Sequence, residues 1–487
     1  MQTNGLMFQY FDSAIKADGS LWRDLAKDAP LLKKSGVTSV WMPPAWKGLK
    51  GAEDSGYEVY DLYDLGEFKQ KGSVRTRYGT KKEYLEAIDA LHKEEIQAYA
   101  EVFFYSFYGA DKVEDIPAEA INTADTCQMI GDGKHVGGLT AFTFPGRRNK
   151  YSDFKWNYTM FSGIDWNTDA ILKKLEEIEG PDSKNLATIK KKGYEFLMDA
   201  RLDFTNEEVF NRLVAWAVWY LAETGVDGFC LNRTENIPAS FYRDFLIRVR
   251  ELTGKELFTV ASHSHWNSAV LQKYLEEIKL SASLFDTPLH YNFYNCSKAH
   301  GAYDLRDLFK GTMVEKNPMK AVTFVDDNNT EPGGIRESFV EEWFKPMAYA
   351  SILLRESGYP CVFYGDYKGI PSIKMKGKKQ LLDKLMKLRR DKAYGPQHDY
   401  IDNPDVIGWT REGDADHKDS GLAVVLSDGI GGTKRMYIGK KFAGMHFSDV
   451  MGNAKYNIKI DEYGFGDFYV NRGAVSVWVH KEPKVEA

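Results

Sequence analysis

Six carboxylate and imidazole side chains lie near the ends of apolar runs, where they are candidates for acid–base chemistry. They are Glu101, Glu235, His263, His265, Asp327 and Glu331. Groups of this kind transfer protons when their pKa lies near the working pH. No two of them have a spacing that indicates a catalytic pair. The residues therefore leave an enzyme with atypical catalytic groups as one open hypothesis.

The elements that must position these side chains alternate between strand-like and helix-like segments. Eight short apolar runs occupy 5–11, 37–43, 96–104, 226–232, 257–262, 283–290, 321–327 and 360–366. They are rich in Val, Ile, Leu and Phe, as expected of strands covered on both faces. Stretches with helical spacing, such as 82–94 and 208–223, lie between them. This alternation predicts an α/β protein with a (β/α)8 barrel.

Two further segments interrupt or follow the predicted barrel. About 120 residues separate the third run from the fourth, far more than one connection needs. They predict an inserted subdomain at 105–205, with the barrel formed by 1–104 and 206–391. From 392 to 487, short alternating runs separated by turn residues predict a C-terminal antiparallel β domain, of the β-sandwich type.

Bulk composition excludes several classes of partner. The net charge of −6 gives no basic footprint for nucleic acid. No apolar stretch reaches the length of a membrane-spanning helix, so we expect no membrane partner. The start of the chain, MQTNGLMFQYF, does not have the pattern of a signal peptide. We expect a cytoplasmic protein, and a secreted protein whose signal has been removed stays an alternative.

Long segments of the sequence match one known family. They include GYEVYDLYDLGEFKQKGSVRTRYGT at 56–80, FTFPGRRNKYSDFKW at 142–156 and YPCVFYGDYKGIP at 359–371. Along nearly its whole length the chain resembles the α-amylase family, glycoside hydrolase family 13, and within it the liquefying bacterial α-amylases. The resemblance implies the same barrel, insertion and C-terminal domain, and a role in α-glucan metabolism.

The resemblance also shows that the family's catalytic residues are replaced. The matching positions hold Asn232 (nucleophile), Ser262 (acid–base), Asn329 (third carboxylate), Ser106 and Asn328 (histidines) and Cys230 (arginine). A retaining glycosidase needs a carboxylate nucleophile and a protonated acid at these strand ends. A neutral amide is a poor nucleophile, and the pKa of a hydroxyl is too high for it to act as the acid. The resemblance therefore predicts that ordinary α-amylase hydrolysis is lost.

Three functions are compatible with this pattern. The first is a non-hydrolytic protein that binds or senses α-glucans. Tyr57, which matches the family's sugar-stacking tyrosine, would then offer a weak contact. The second is a scaffold for a protein partner, with a vestigial cleft. The third is a glycoside hydrolase with displaced, atypical catalytic residues.

The family has two metal sites, and we expect a different outcome at each. At the main calcium site, Arg201 replaces an aspartate, and we expect its pairing with Glu195 to substitute for the cation. At a second, remote site between barrel and C-terminal domain, the resemblance implies one Ca²⁺, and two carboxylates plus carbonyl oxygens suit this ion. Its predicted ligands are Asp399 and Asp428 through carboxylates, and Gly301, Tyr303 and His398 through carbonyls.

Overall fold

Eight parallel strands form a closed barrel in the computed structural model, which describes residues 4–118, 134–164 and 199–480. In chain order, the barrel strands are Met7–Gln9, Ser39–Met42, Gln97–Val102, Gly228–Leu231, Phe258–Ala261, Ser283–Phe285, Ala321–Phe324 and Tyr359–Phe363. Each strand pairs with its sequence neighbours, and the eighth closes on the first, with Met7 beside Cys361. Each predicted run overlaps one of these strands, so the predicted barrel is confirmed.

The interior of the barrel is filled by alternate residues of its strands. Met7, Trp41, Tyr99, Cys230 and Val260 belong to one buried cluster inside it. Side chains alternate between the two faces of a strand, so the intervening residues pack outward against the helices. Burial on both faces accounts for the continuous apolar runs in the sequence.

The helices surround this barrel, and several of them begin at capping residues. They are Leu21–Ser35, Lys81–Lys93, Glu207–Thr224, Ala239–Thr253, Ser268–Glu277, Thr287–Ala299, Met313–Lys316, Lys345–Leu353, Tyr364–Lys368 and Lys379–Lys392. Thr80 and Glu83 form a capping box at the start of the second helix. Asn206 caps the third helix, and Gly225 ends it in the left-handed conformation.

Two predicted runs extend too far, because each includes the start of a helix. The sixth strand ends at Phe285, after which the Asp286 carboxylate accepts a hydrogen bond from the Leu289 N–H (3.1 Å) and caps the next helix. His290, predicted to end a strand, is therefore helical. The eighth run likewise passes from its strand into the short helix Tyr364–Lys368.

The inserted segment builds its main sheet together with an earlier loop. The sheet order is Lys47–Gly48, Val59–Asp61, Ser106–Tyr108, Asp199–Leu202, Phe161–Ile164. Its first two strands come from the connection after the second barrel strand, which the sequence did not predict. A second pair, Lys112–Ala118 with Lys134–Ala141, is antiparallel.

The C-terminal region is an antiparallel β domain, as predicted. Its main sheet has the order Gln397–Tyr400, Val406–Arg411, Leu422–Ser427, Ala474–His480, His446–Asp449, Asn457–Lys459, and Gly432–Tyr437 pairs with Phe465–Val470. A small hairpin, Gly369–Ile370 with Met375–Lys376, precedes this domain. Of the helices in the described ranges, none combines the length and apolarity needed to cross a membrane.

Candidate active site at the barrel mouth

Glu101 is a buried carboxyl near the C-terminal end of the third barrel strand. It follows Tyr99 by two residues on the third strand and faces the interior for the same reason. Its Oε1 accepts hydrogen bonds from the hydroxyl of Tyr57 (2.7 Å) and the side-chain amide of Asn232. Its Oε2 accepts one from the indole N–H of Trp41 (3.2 Å). The carboxyl is fully buried, and all three donors are neutral.

The environment of Glu101 holds its pKa near neutrality. Burial raises the pKa of this carboxyl from 4.5 to about 7, although the hydrogen bonds from Tyr57, Asn232 and Trp41 oppose the shift. The negative charge of Asp327 adds a small further increase to the pKa. The family's arginine would lie at Cys230, which pairs with Glu101 in the strand register. A thiol there leaves the carboxyl without a neighbouring cation.

Tyr57 is the least buried of the three donors to Glu101. Its ring is half-buried and packs edge-on against Phe103, with centroids 5.8 Å apart. The side-chain amide of Asn328 lies 3.4 Å from the Tyr57 hydroxyl and is oriented by Gln9, whose amide donates to Asn328 Oδ1 (2.8 Å). The Tyr57 hydroxyl is therefore fixed between an acid and an amide.

Asp327 lies in the loop after the seventh strand, where backbone amides orient its carboxylate. Its Oδ1 accepts hydrogen bonds from the N–H groups of Asn329 (2.8 Å) and Thr330 (2.9 Å). With Ser262 and Asn329, it lines a cavity of about 10 Å³. This is about the space that one water molecule requires.

Glu331 is a second buried carboxyl near this loop. Burial raises its pKa from 4.5 to about 7. Its Oε1 accepts a hydrogen bond from the Ser13 N–H (2.8 Å), and the Ser13 hydroxyl donates to the carbonyl oxygen of Asn328 (2.9 Å). Glu331 is thus linked through the first barrel loop to the residues that position Tyr57.

The other three candidate acid–base residues have structural partners. Glu235 forms an ion pair with Arg336. The ring of His263 stacks on Tyr274 with centroids 4.0 Å apart, and burial lowers its pKa to about 4, so it is neutral at physiological pH. His265 stacks on the neighbouring Trp266. These contacts explain the three residues without a catalytic role.

The replaced family positions do come together in space. Asn232 contacts Glu101. Both Ser262 and Asn329 line the cavity beside Asp327. The side-chain amide of Asn328 contacts the Tyr57 hydroxyl. Cys230 is buried beside Glu101, and Ser106 is buried at the start of an insertion strand. Two contributors were not predicted. Trp41 donates to Glu101, and His290, which lines the cavity, donates or accepts at Ser338 (2.8 Å).

Part of the expected replacement of the main calcium site lies outside the described residues. Arg201 lies on the strand Asp199–Leu202, in register with Ser106 on one side and Gly163 on the other. Glu195, its predicted partner, lies outside the described ranges, so this pairing stays a prediction. The Asp203 carboxylate accepts hydrogen bonds from the N–H and hydroxyl of Thr205.

The expected second calcium site is only partly assembled from its predicted ligands. Asp399 instead receives two hydrogen bonds from Arg355 (2.7 and 2.9 Å), and the His398 ring contacts Glu412 (2.6 Å). Within the described ranges, no three His, Cys, Asp or Glu side chains form a group that could hold a metal ion.

Asp428 nevertheless keeps an open oxygen in a suitable environment. It is buried, and its Oδ1 has no hydrogen-bond partner. The Asp405 carboxylate and the Gly301 carbonyl oxygen lie 3.4 and 3.6 Å from the position that a Cβ on Gly429 would occupy. Burial, with the negative charges of Asp405 and Asp304, raises the pKa of Asp428 to about 6. Asp405, rather than Asp399, is thus the carboxylate near Asp428.

The fold and this site define a (β/α)8-barrel protein with an acidic mouth, an inserted sheet and a C-terminal antiparallel domain. A family model described as α-amylase C-terminal matches residues 422–479. The chain is 46% identical to an α-amylase of Geobacillus stearothermophilus, across 99% of this chain and 88% of that relative. It is 44% identical to a glucan 1,4-α-maltohexaosidase of Bacillus sp. strain 707, across 98% of this chain and 93% of the relative.

A third relative, the cytoplasmic α-amylase of Escherichia coli K12, is 37% identical across 98% of this chain and 99% of its own length. The fold matches solved α-amylase structures from Anoxybacillus (TM-score 0.64, 13% identity, 99% and 98% of the two chains) and from Geobacillus thermoleovorans, the latter complexed with acarbose (TM-score 0.62, 15% identity, 99% and 100%). The chain belongs to the α-amylase family.

These relatives overturn one prediction made from the sequence. The prediction that the chain has lost ordinary α-amylase hydrolysis is wrong, because relatives 37–46% identical over nearly its full length are α-amylases. The prediction gave the replaced strand-end residues more weight than Glu101, one of the six candidate acid–base residues, whose carboxyl is in hydrogen-bond contact with Asn232.

Proposed function

We propose that the protein is a glycoside hydrolase of α-glucans whose proton-transferring carboxyl is Glu101. One observation carries the proposal: a buried carboxyl with a pKa of about 7 contacts Asn232, the residue at the family's nucleophile position. The family membership supports the reaction class. With Glu101 as the acid, the family's acid–base position can hold Ser262.

Substrate would approach Glu101 from the side of Tyr57. Of the three donors to Glu101, Trp41 and Asn232 are buried, whereas Tyr57 is half-buried. A pKa near 7 leaves about half of the carboxyl protonated at neutral pH, which suits general acid catalysis. The protonated Glu101 carboxyl is the group that gives its proton to the departing glycosidic oxygen.

The proposed substrate class rests on the relatives and on the ring of Tyr57. Two relatives are named α-amylase and glucan 1,4-α-maltohexaosidase, which favours α-1,4-linked glucose chains. The half-buried ring of Tyr57 also offers a surface for a sugar. By analogy with other aromatic contacts, stacking there contributes about 1 kcal/mol.

The test compares purified wild type with the Glu101→Gln variant on maltohexaose and amylose. Glutamine keeps the shape, and its oxygen can accept the hydrogen bonds from Tyr57 and Asn232, but it loses the acceptor for Trp41 and cannot supply the proton. We expect the variant to lose about 10²–10⁴-fold in kcat/KM. Glu235→Gln, which removes a carboxylate paired with Arg336, is the matched control and should keep activity.

Both proteins are produced in the same host and purified identically, so that a contaminating hydrolase would appear equally in both. Wild type without activity, or a Glu101→Gln variant with full activity, would contradict the proposal. A cooperative thermal transition above the assay temperature in both proteins shows that the loss of rate is not a loss of folded protein.

We also propose that one Ca²⁺ binds between the barrel and the C-terminal domain. Asp428 would hold it with the Gly301 carbonyl and a second carboxylate, for which Asp405 lies nearby. Oxygen ligands of this kind suit Ca²⁺. The ion would supply a structural link and no step of the reaction.

A further inference from the structure

We infer that the protein holds a segment of α-glucan at a second site, in an open pocket between the helix Thr287–Ala299 and the loop that follows the seventh barrel strand. The inference rests on the proposed function for its substrate class, but not for its reaction. Three features of the pocket support it: its aromatic rings, its paired charges and its separation from the cavity beside Asp327.

The pocket has the size and the aromatic lining of a small-molecule site. Its volume is about 560 Å³, within the range of about 300–1,000 Å³ that such sites occupy. Tyr294, Phe339 and Trp343 contribute to its lining. All three are half-buried, so each ring keeps part of its surface open. Rings of this kind offer flat apolar surfaces on which the C–H faces of glucose units can pack.

Contacts behind the pocket hold its rings in place. The indole N–H of Trp343 donates to the Ser297 carbonyl oxygen and to the Glu341 carboxylate, both at 3.1 Å. Its ring also packs edge-on against Phe344, with centroids 5.4 Å apart. The Phe339 ring lies under the buried Lys345 ammonium. Because these rings are fixed before a ligand arrives, binding there loses little side-chain entropy.

The charges of the pocket favour an uncharged ligand with many hydroxyl groups. Glu341 is paired with Lys298 (3.0 Å), and Glu342 is paired with Lys378. Glu337 is the third carboxylate of the lining. Since two of the three carboxylates already have cations, a cationic ligand would gain little. Sugar hydroxyls can donate to the carboxylates and accept from the lysine ammonium, so the polar groups suit a carbohydrate.

The pocket is separate from the cavity beside Asp327. The helix contributes His290 to that cavity and, one turn further on, Tyr294 to the pocket. His290 contacts the Ser338 hydroxyl (2.8 Å), and both residues are buried. Phe339, which lines the pocket, follows Ser338 directly. This buried contact lies between the two spaces, so glucan can occupy the pocket without entering the cavity.

A second site of this kind would act on long substrates and not on short ones. A polymer held in the pocket keeps its other segments near the barrel mouth and raises their effective concentration there. A short oligosaccharide in the pocket gives the mouth no such advantage. The pocket should therefore improve hydrolysis of amylopectin and leave hydrolysis of maltohexaose unchanged.

The binding test is native electrophoresis in gels that contain increasing amounts of amylopectin. Glu101→Gln is the parent protein, so that the polymer is not digested during the run. Tyr294→Ala and Trp343→Ala, each added to this parent, should weaken the apparent Kd about 2- to 10-fold, the usual effect of losing one aromatic contact. Tyr463→Ala removes an exposed ring of the C-terminal domain and is the matched control, which should bind like the parent.

Alanine at Tyr294 favours the helix in which it lies, so this variant separates binding from folding if the substitution at Trp343 is destabilising. A parent that amylopectin does not retard would overturn the inference. Equal retardation of the parent and Tyr294→Ala would overturn it as well.

The kinetic test uses the same substitutions in the otherwise wild-type protein. We expect kcat/KM for amylopectin to fall about 2- to 10-fold and kcat/KM for maltohexaose to stay at the wild-type value. An equal loss on both substrates would show that Tyr294 acts at the mouth and would overturn the inference. If wild type hydrolyses neither substrate, the proposed function fails, and the gel retardation alone decides whether the second site exists.

Discussion

Replacing Glu101 by glutamine is expected to make the protein's stability less dependent on pH. The pKa of this carboxyl is about 7 in the folded protein, against an ordinary value of 4.5. The folded state therefore binds more protons than the unfolded state between these values, and stability is lost as the pH rises from about 4.5 through about 7. Glutamine has no proton to lose and escapes this penalty.

The size of the effect follows from the same two pKa values. At about 1.36 kcal/mol for each pKa unit, the penalty on wild type reaches about 3 kcal/mol by pH 8. The unfolding entropy of a chain of 487 residues is about 1 kcal/mol/K. The thermal midpoint of the variant, relative to wild type, should therefore rise by about 3 °C between pH 4.5 and pH 8.

The assay is calorimetry of wild type, Glu101→Gln and Glu235→Gln at four pH values across this range. Glu235 is paired with Arg336, so its replacement should change the midpoint by a constant amount. A difference between Glu101→Gln and wild type that stays flat with pH would refute the reasoning, because the carboxyl would then not be desolvated.

Two further predictions concern groups outside the reaction. Lys345 is buried between Asp326 (2.9 Å) and Asp366, so Lys345→Met should cost about 3–5 kcal/mol. Lys345→Met should therefore have a lower thermal midpoint. Changing Asp326 and Asp366 to asparagine as well should largely restore it. For the calcium proposal, Ca²⁺ at about 100 times its Kd should add about 2.7 kcal/mol. Asp405→Asn should abolish this gain and Asp399→Asn should keep it, and the reverse result would favour the ligands that the resemblance predicted.

The barrel was predictable from the sequence because burial on both faces leaves a local record. Continuous apolar runs marked each strand, and capping residues such as Thr80 and Asn206 marked where helices begin. The ends of the sixth and eighth runs were not predictable in this way. In both runs, the apolar sequence continues from the strand into a helix. In the sixth run, the cap at Asp286 marks where the helix begins.

The candidate site was predictable in its location but not in its chemistry. The resemblance placed Asn232, Ser262 and Asn329 at strand ends, and these residues do meet around the mouth. It could not show that Glu101 contacts Asn232, because that contact joins positions 131 residues apart. The raised pKa of Glu101 also depends on burial in three dimensions, for which no local pattern exists.

The pH profile of kcat/KM for maltohexaose tests the central claim most directly. If Glu101 is the acid, it must be protonated, so the rate of wild type should fall about tenfold for each pH unit above about 7. Hydrolysis that stays level from pH 7 to pH 9, or no hydrolysis by the wild-type protein at any pH, would contradict the account.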